Sequence, residues 1–173
     1  MKITHDLLTA YGRRWLTRPL HSGTPAGHYG CPVVLTELSA MTATGEIPDV
    51  LGWDNRGSIV LECKTSVADF RADHRKPFRV QPQLGLGRQR WYLAPQGVIP
   101  VHELPDNWGL LELQASRLVV IHHSGLFTSY YPGEVAILLS TLRRLKIEPD
   151  GCVSLKMYSM ETKNKASLTL NTE

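Results

Sequence analysis

Three residues have the types and spacing to do chemistry together. Asp49 follows Pro48, and Glu62 and Lys64 close the stretch "PDVLGWDNRGSIVLECK". Two carboxylates held close together repel unless a hard cation lies between them. Mg²⁺ or Mn²⁺ takes oxygen ligands of this kind and keeps several waters. A metal so bound lowers the pKa of a water and neutralises charge building on a phosphate. A lysine beside it can orient or help deprotonate that water and stabilise the transition state. The backbone carbonyl of Cys63 can be a further ligand, which leaves the Cys63 side chain free to be apolar. The competing reading is three solvated charges on an ordinary hairpin.

Geometry decides whether the three can meet. Alternate side chains of a strand share a face. Ile59, Leu61 and Cys63 therefore fall on one side, and Val60, Glu62 and Lys64 on the other. Glu62 and Lys64 then stand about 6–7 Å apart along the strand. "DNRG" (54–57) is good hairpin-turn chemistry. A turn centred between Asn55 and Arg56 sets Asp49 opposite Glu62 on the same face. A slip of one residue would turn Asp49 away.

Glu-x-Lys alone carries little information, because at average residue usage it recurs about once per few hundred residues. A second copy, Glu161-Thr162-Lys163, lies in the polar tail without a preceding Pro-Asp and is assigned no function. The surroundings of the first copy add weight. From Lys64 to Arg90 there are seven Lys/Arg against two acids. A local excess of this kind suits a polyanion, and a solvated face is the plain alternative.

The elements that must hold these residues are partly readable. Residues 5–16 pattern as an amphipathic helix. Residues 17–32, rich in Pro, Gly and Ser, read as loop, and 33–40 as a strand. After the 48–64 hairpin, Ser66 opens a helix in which Asp69 and Asp73 share a face. Asp69 reads as part of the cap, and Asp73 as a partner for nearby Arg or Lys. Residues 77–88 contain Pro77, Pro82, Gly85 and Gly87 and cannot form a regular helix. "QRWYLA", "GLLEL" and "RLVVIHH" read as strands, with at least one of Trp91 and Tyr92 in the core. Residues 132–147 read as a helix, with an apolar stripe of Val135, Leu138, Leu139, Leu142 and Leu145. The expected architecture is an α/β fold, a central mixed sheet flanked by helices.

These motifs carry a resemblance. "IPDVLGW…IVLECKTS" is similar to the PD-(D/E)XK nuclease superfamily, which includes restriction enzymes, Holliday-junction resolvases and repair nucleases. "ECKTSVADFRADHRKPFR", "GLGRQRWYLAPQGVI" and "ELPDNWGLLEL" resemble a group of mostly uncharacterised bacterial and phage proteins within it. Their pattern is Glu-x-Lys-Thr/Ser-Ser, then Asp-Phe-x-x-Asp-x-x-Lys, then a Gly-x-Gly-x-Arg-Tyr-Tyr strand. The match runs over about residues 33–114. Trp91 stands where Tyr is more usual, and Cys63 fills the x position. The resemblance implies a restriction-endonuclease-like core and a Mg²⁺- or Mn²⁺-dependent deoxyribonuclease. In it Asp49, Glu62 and the Cys63 carbonyl are the metal ligands, and Lys64 is the water-positioning base. Glu37 is the candidate for the further acidic residue that often precedes Pro-Asp in this superfamily. Lys76, Arg79, Arg88 and Arg90 are expected to contact phosphates.

Length and composition agree with one domain: 173 residues, 42% hydrophobic, 20% charged, net +3. The core is expected over about 33–147 and a polar tail over about 160–173. No apolar run is long enough to span a membrane. The N-terminal stretch breaks its apolar residues with charge too early for a signal peptide, so a cytoplasmic protein is expected. Cys31, Cys63 and Cys152 form no zinc or CxxC pattern. His122 and His123 point to opposite faces of a strand and are no metal pair. His21 and His28 read as surface histidines. The main reading is a small endonuclease acting on DNA in repair, recombination or phage and defence processing, as a homodimer or within a larger nucleoprotein assembly. The rival is a nuclease-fold subunit that binds nucleic acid without cutting. A third reading is action on RNA or on a protein partner.

Overall fold

The structure is a computed structural model and describes residues 3–18, 30–37 and 44–145. Contacts divide the chain into a compact unit, Met1–Thr141, and a second, Leu142–Glu173, of which only the end of a helix is described. The tail motif Glu161–Lys163, Cys152, His21 and His28 lie outside the described residues.

Six strands form one mixed sheet in sequence order: β1 (Val33–Thr36), β2 (Val50–Asp54), β3 (Gly57–Cys63), β4 (Gln89–Pro95), β5 (Gly109–Gln114) and β6 (Arg117–His122). The outer pairs are antiparallel, while β3–β4 and β4–β5 are parallel. The helices are α1 (His5–Thr17), α2 (Val67–Asp73), α3 (Pro77–Val80) and α4 (Tyr131–Arg144). The α/β expectation of a mixed sheet flanked by helices is met.

Strand alternation builds two cores. Ile59, Leu61, Cys63, Trp91, Leu93, Leu111 and Leu113 pack on Leu8, Trp15 and Leu16 of α1. α1 starts at Thr4, whose side chain accepts from the Leu7 N–H at 3.3 Å. It lies so close to the sheet that a Cβ on Gly12 would sit 2.9 Å from Leu61. The opposite face buries Tyr92, Ala94 and Leu110 with Phe70 of α2, and Leu51 and Val60 with Ile137 of α4. Trp91 and Tyr92 are both core residues.

Two expectations are corrected. The strand predicted over 33–40 stops at Thr36, because Glu37 adopts φ 50°, outside the extended region. Residues 38–40 lie outside the described residues. The predicted stripe of α4 is not its buried face. Gly133, Glu134 and Ile137 are buried, whereas Leu139, Leu142 and Leu145 are exposed. Glu134 sets that rotation. Its carboxylate accepts from Ser58 Oγ at 2.6 Å, Trp53 Nε1 at 3.2 Å and the Gly87 N–H at 3.1 Å, and it also bonds the Ser129 hydroxyl.

Candidate active site

The hairpin has the anticipated register. Asp54 pairs with Gly57, and the ladder runs to Val50 opposite Leu61. The ladder ends there, and Asp49, a bend just before β2, turns its carboxylate to the Cys63 N–H. β3 then carries Glu62 beneath α2 and α3, and Lys64 follows, its N–H donating to the Leu93 carbonyl at 2.9 Å.

Glu62 lies in a closed charge network with its side chain only 2% exposed. Lys64 Nζ is 3.3 Å from Glu62 Oε2 and 3.2 Å from Asp73 Oδ1. Arg79 spreads its guanidinium over three carboxylates: Glu46 at 2.7 Å, Asp73 at 2.7 Å and Glu62 at 3.0 Å. Its plane is held against the rings of Phe78 and Trp108. The Tyr92 hydroxyl donates to Asp73 at 2.9 Å, and Glu46 also accepts the Leu86 N–H at 2.7 Å. Lys76 completes the set, 2.6 Å from Asp73 and 3.9 Å from Glu62, with 42% of its side chain open to solvent. Three carboxylates thus face three cations. The Arg79–Glu62 contact is one of charge rather than a well-aligned hydrogen bond, since Glu62 Oε1 and Arg79 Nη2 both lack hydrogen-bond partners.

The electrostatics follow from burial set against pairing. Burial pushes the Glu62 carboxyl up to about 7 against the pull of Arg79. Asp73 is also buried, yet Arg79, Lys64 and Lys76 hold it well below the usual carboxylate range. Burial opposes the Lys64 charge, but Glu62 and Asp73 outweigh it and raise its pKa. The Tyr92 hydroxyl is pushed far up by burial and then by Asp73.

Asp49 occupies a different environment. Its Oδ2 accepts the Cys63 N–H at 2.6 Å and lies 3.2 Å from His5 Nε2. The carboxylate is 18% exposed. Among the described residues, the groups able to hold a metal by mutual distance are His5–Asp49–Cys63 and His5–Asp6–Glu37, and Glu62 is in neither. Asp49 and Glu62 therefore lie toward one end of the hairpin with separate partners, and their ligand atoms do not gather around one point. Asp49 is still near enough to help raise the Glu62 pKa.

Several site expectations change. Arg79 cannot contact a phosphate from where it lies, because its side chain is 3% exposed and fully engaged. Arg90 is buried as well, its guanidinium bonded to the carbonyls of Pro82, Gly85 and Gly87 and stacked over Phe127. Burial lowers its pKa to about 10, so it remains charged at neutral pH. Arg88 is exposed but bonds the Arg56 carbonyl at the turn, about 17 Å along β3 from Glu62. Only Lys76 of the four stands at the site with a solvent-facing ammonium. Glu37 is exposed and approaches His5 Nδ1 at 3.6 Å rather than Glu62. The buried acid preceding Pro-Asp is Glu46.

Sequence reasoning missed His5 and Glu46 and gave Tyr92 no role at the site. Glu46 lies in the irregular approach to β2, where no periodicity marks an inward side chain. His5 meets Asp49 only through the docking of α1. The one usable signal was the Asp73–Lys76–Arg79 spacing, an acid followed at three and six residues by cations.

No protein-family model matches the chain, and no curated protein matches it. Among solved structures the chain is similar to a protein of unknown function from Silicibacter pomeroyi. The identity is 25%, the TM-score is 0.48, and the match covers 69% of this chain and 80% of that one. At that TM-score the likeness carries no argument. No helix among the described residues is long and apolar enough to cross a membrane.

Proposed function

We propose that the protein is a metal-dependent nuclease with a restriction-endonuclease-like core, hydrolysing phosphodiester bonds in DNA at Asp49, Glu62 and Lys64. One observation carries this reading: Lys64 Nζ lies 3.3 Å from the Glu62 carboxylate at the end of the hairpin, with Asp49 near enough to help raise the Glu62 pKa. The donor set fits a hard divalent cation. Both side chains offer carboxylate oxygens, and Glu62 Oε1 is a buried oxygen that has only a charge contact with Arg79 at 3.0 Å and no aligned hydrogen bond. Asp49, Glu62 and the Cys63 carbonyl would hold the ion, which when bound supplies charge neutralisation and a water of lowered pKa.

The chain's own residues do the rest. Lys64, fixed between Glu62 and Asp73, donates rather than accepts, so it orients a water and offsets negative charge instead of removing a proton. Lys76 is the open cation beside it and meets an entering phosphate first. Arg79, Glu46 and Tyr92 hold Glu62 and Asp73 in place.

A second reading has its own observation. Both oxygens of Glu62 already face side-chain cations, Oε1 toward Arg79 and Oε2 toward Lys64 and Lys76. A site neutralised in this way suits a module that binds nucleic acid and does not cut. Cleavage of plasmid, single-stranded and branched DNA in Mg²⁺ and Mn²⁺ separates the two. The nuclease reading expects metal-dependent cutting that falls about 100-fold or more in Asp49→Ala and in Lys64→Ala. Wild-type protein that binds DNA yet cuts in neither metal would establish the second reading. Equal cutting by wild type and Asp49→Ala would sink the first.

A further inference from the structure

The segment expected to bind nucleic acid is largely spent on internal bonding, which leaves open where a polyanion would be gripped. A cleft of about 460 Å³ lies between α1 and the β5–β6 turn, lined by Tyr11, Arg14, Trp15, Arg18, Ser116, Arg117 and Leu118. Tyr11, Arg14, Trp15 and Arg18 recur at the spacing of one helix face. Trp15 is buried against Trp91 and fixes that face on the sheet. Arg117 is delivered by a tight turn in which Ala115 and Ser116 take φ 43° and 68°.

Three guanidiniums therefore surround one cleft, and among the described residues no acidic one lines it. All three arginines are exposed. Like charges four apart on a helix repel, and Arg117 adds a third. Elsewhere in this molecule buried Arg79 is matched by three carboxylates and exposed Arg71 by Glu103. Here, among the described residues, no carboxylate is paired with any of the three. A phosphate-bearing chain would supply the missing charge. Guanidinium groups suit it because their planar fork meets two phosphate oxygens at once.

The position also fits. α1 begins at His5, which touches Asp49, and Arg14 follows about 13–14 Å farther along the helix axis. That distance spans about four base-pair steps of a duplex. β3, β4 and β5 are parallel, so the β5–β6 turn lies at the same end of the sheet as Glu62 and Lys64; α1 covers the other face, so a duplex bound by both would cross that end of the sheet.

We propose that this cleft of Arg14, Arg18 and Arg117 grips the phosphate backbone of the DNA duplex on which the Asp49–Glu62–Lys64 site acts. The assignment rests on the nuclease reading of those three residues, and its test separates the two. Binding of a fluorophore-labelled duplex is measured by anisotropy in EDTA, so that nothing is cut, across a salt series. The proteins are wild type, the triple variant Arg14→Ala/Arg18→Ala/Arg117→Ala, the double variant Arg14→Ala/Arg18→Ala, and a control double variant, Arg13→Ala/Arg143→Ala. Melting temperatures are recorded for each.

The proposal expects the triple variant to bind about tenfold or more weakly at low salt with unchanged melting. Its salt slope falls by about 2–3, near one per lost phosphate contact. The Arg14/Arg18 double variant is expected to lose more than the control double. Equal losses in the two doubles would overturn the proposal, since total charge would then explain the binding. So would a triple variant that binds like wild type. Saturable binding of inorganic phosphate by a wild type that ignores the duplex would also overturn it and would mark a small-anion site. A triple variant that loses binding, paired with a wild type that never cuts, would uphold the cleft and reject the nuclease reading.

Discussion

Glu62 shows what burial does to a single side chain. The unfolded chain titrates this carboxyl near 4.5, and the folded chain holds its proton up to about 7. Ionising Glu62 in the fold therefore costs stability as pH rises through that window. The share is on the order of 3 kcal/mol. Asp73 has the opposite sign: its depressed pKa contributes stability above the ordinary carboxylate range, lost only as pH falls below it. The two effects do not overlap. Urea midpoints of wild type and Glu62→Gln at pH 4.5 and 7 test this. Wild type is expected to lose stability toward pH 7, and the variant to lose less by about that share. Parallel slopes would remove Glu62 as the source. At this scale the sequence was legible for the hairpin register and the Glu62–Lys64 pair, because strand alternation and a two-residue turn are local rules; it was not legible for the partners of Asp49, whose carboxylate meets His5 and the Cys63 N–H. It was not legible for Arg79 and Arg90. A charge count says that arginines cluster and cannot say that one of them faces three carboxylates and another three carbonyls.

At the scale of elements, α4 makes the same point. Hydrophobic periodicity selects Val135, Leu138 and Leu139, but the helix turns Glu134 and Ile137 inward. A polar clamp overrode the apolar stripe. Glu134 gathers donors from β2, β3, the approach to β4 and the segment before α4 itself. Replacing it by Ala leaves those donors without their acceptor in a buried place. The expected loss is about 2–3 kcal/mol in urea unfolding. Glu134→Gln recovers part of this, because the amide oxygen still accepts. A loss in Glu134→Ala below about 0.5 kcal/mol would class the residue with ordinary surface positions. α1, α2 and the central strands were readable by contrast, since α1 is amphipathic, Ser66 caps α2, and short apolar runs between turns mark strands buried on both faces.

For the molecule as a whole, the sheet order is what the sequence withheld. Pairing beyond the first hairpin depends on crossovers, and no local pattern states that β3 runs parallel to β4. That crossover matters for the charge network. Glu46, Glu62 and Lys64 arrive with the hairpin and its approach, whereas Asp73, Lys76 and Arg79 arrive on the crossover segment. The two sets join only when the parallel ladder closes. Contacts of long sequence separation of this kind form slowly and late. The network's contribution is therefore carried in the rate at which the native protein opens, not in the rate at which it assembles. Arg79→Met leaves buried Glu46 without its cation and takes one of three cations from Glu62 and Asp73, and is expected to cost about 3–5 kcal/mol. In stopped-flow urea kinetics nearly all of that loss is expected on the unfolding limb, with the refolding limb close to wild type. On that expectation the lifetime of the closed network rests on one arginine with 3% of its side chain exposed.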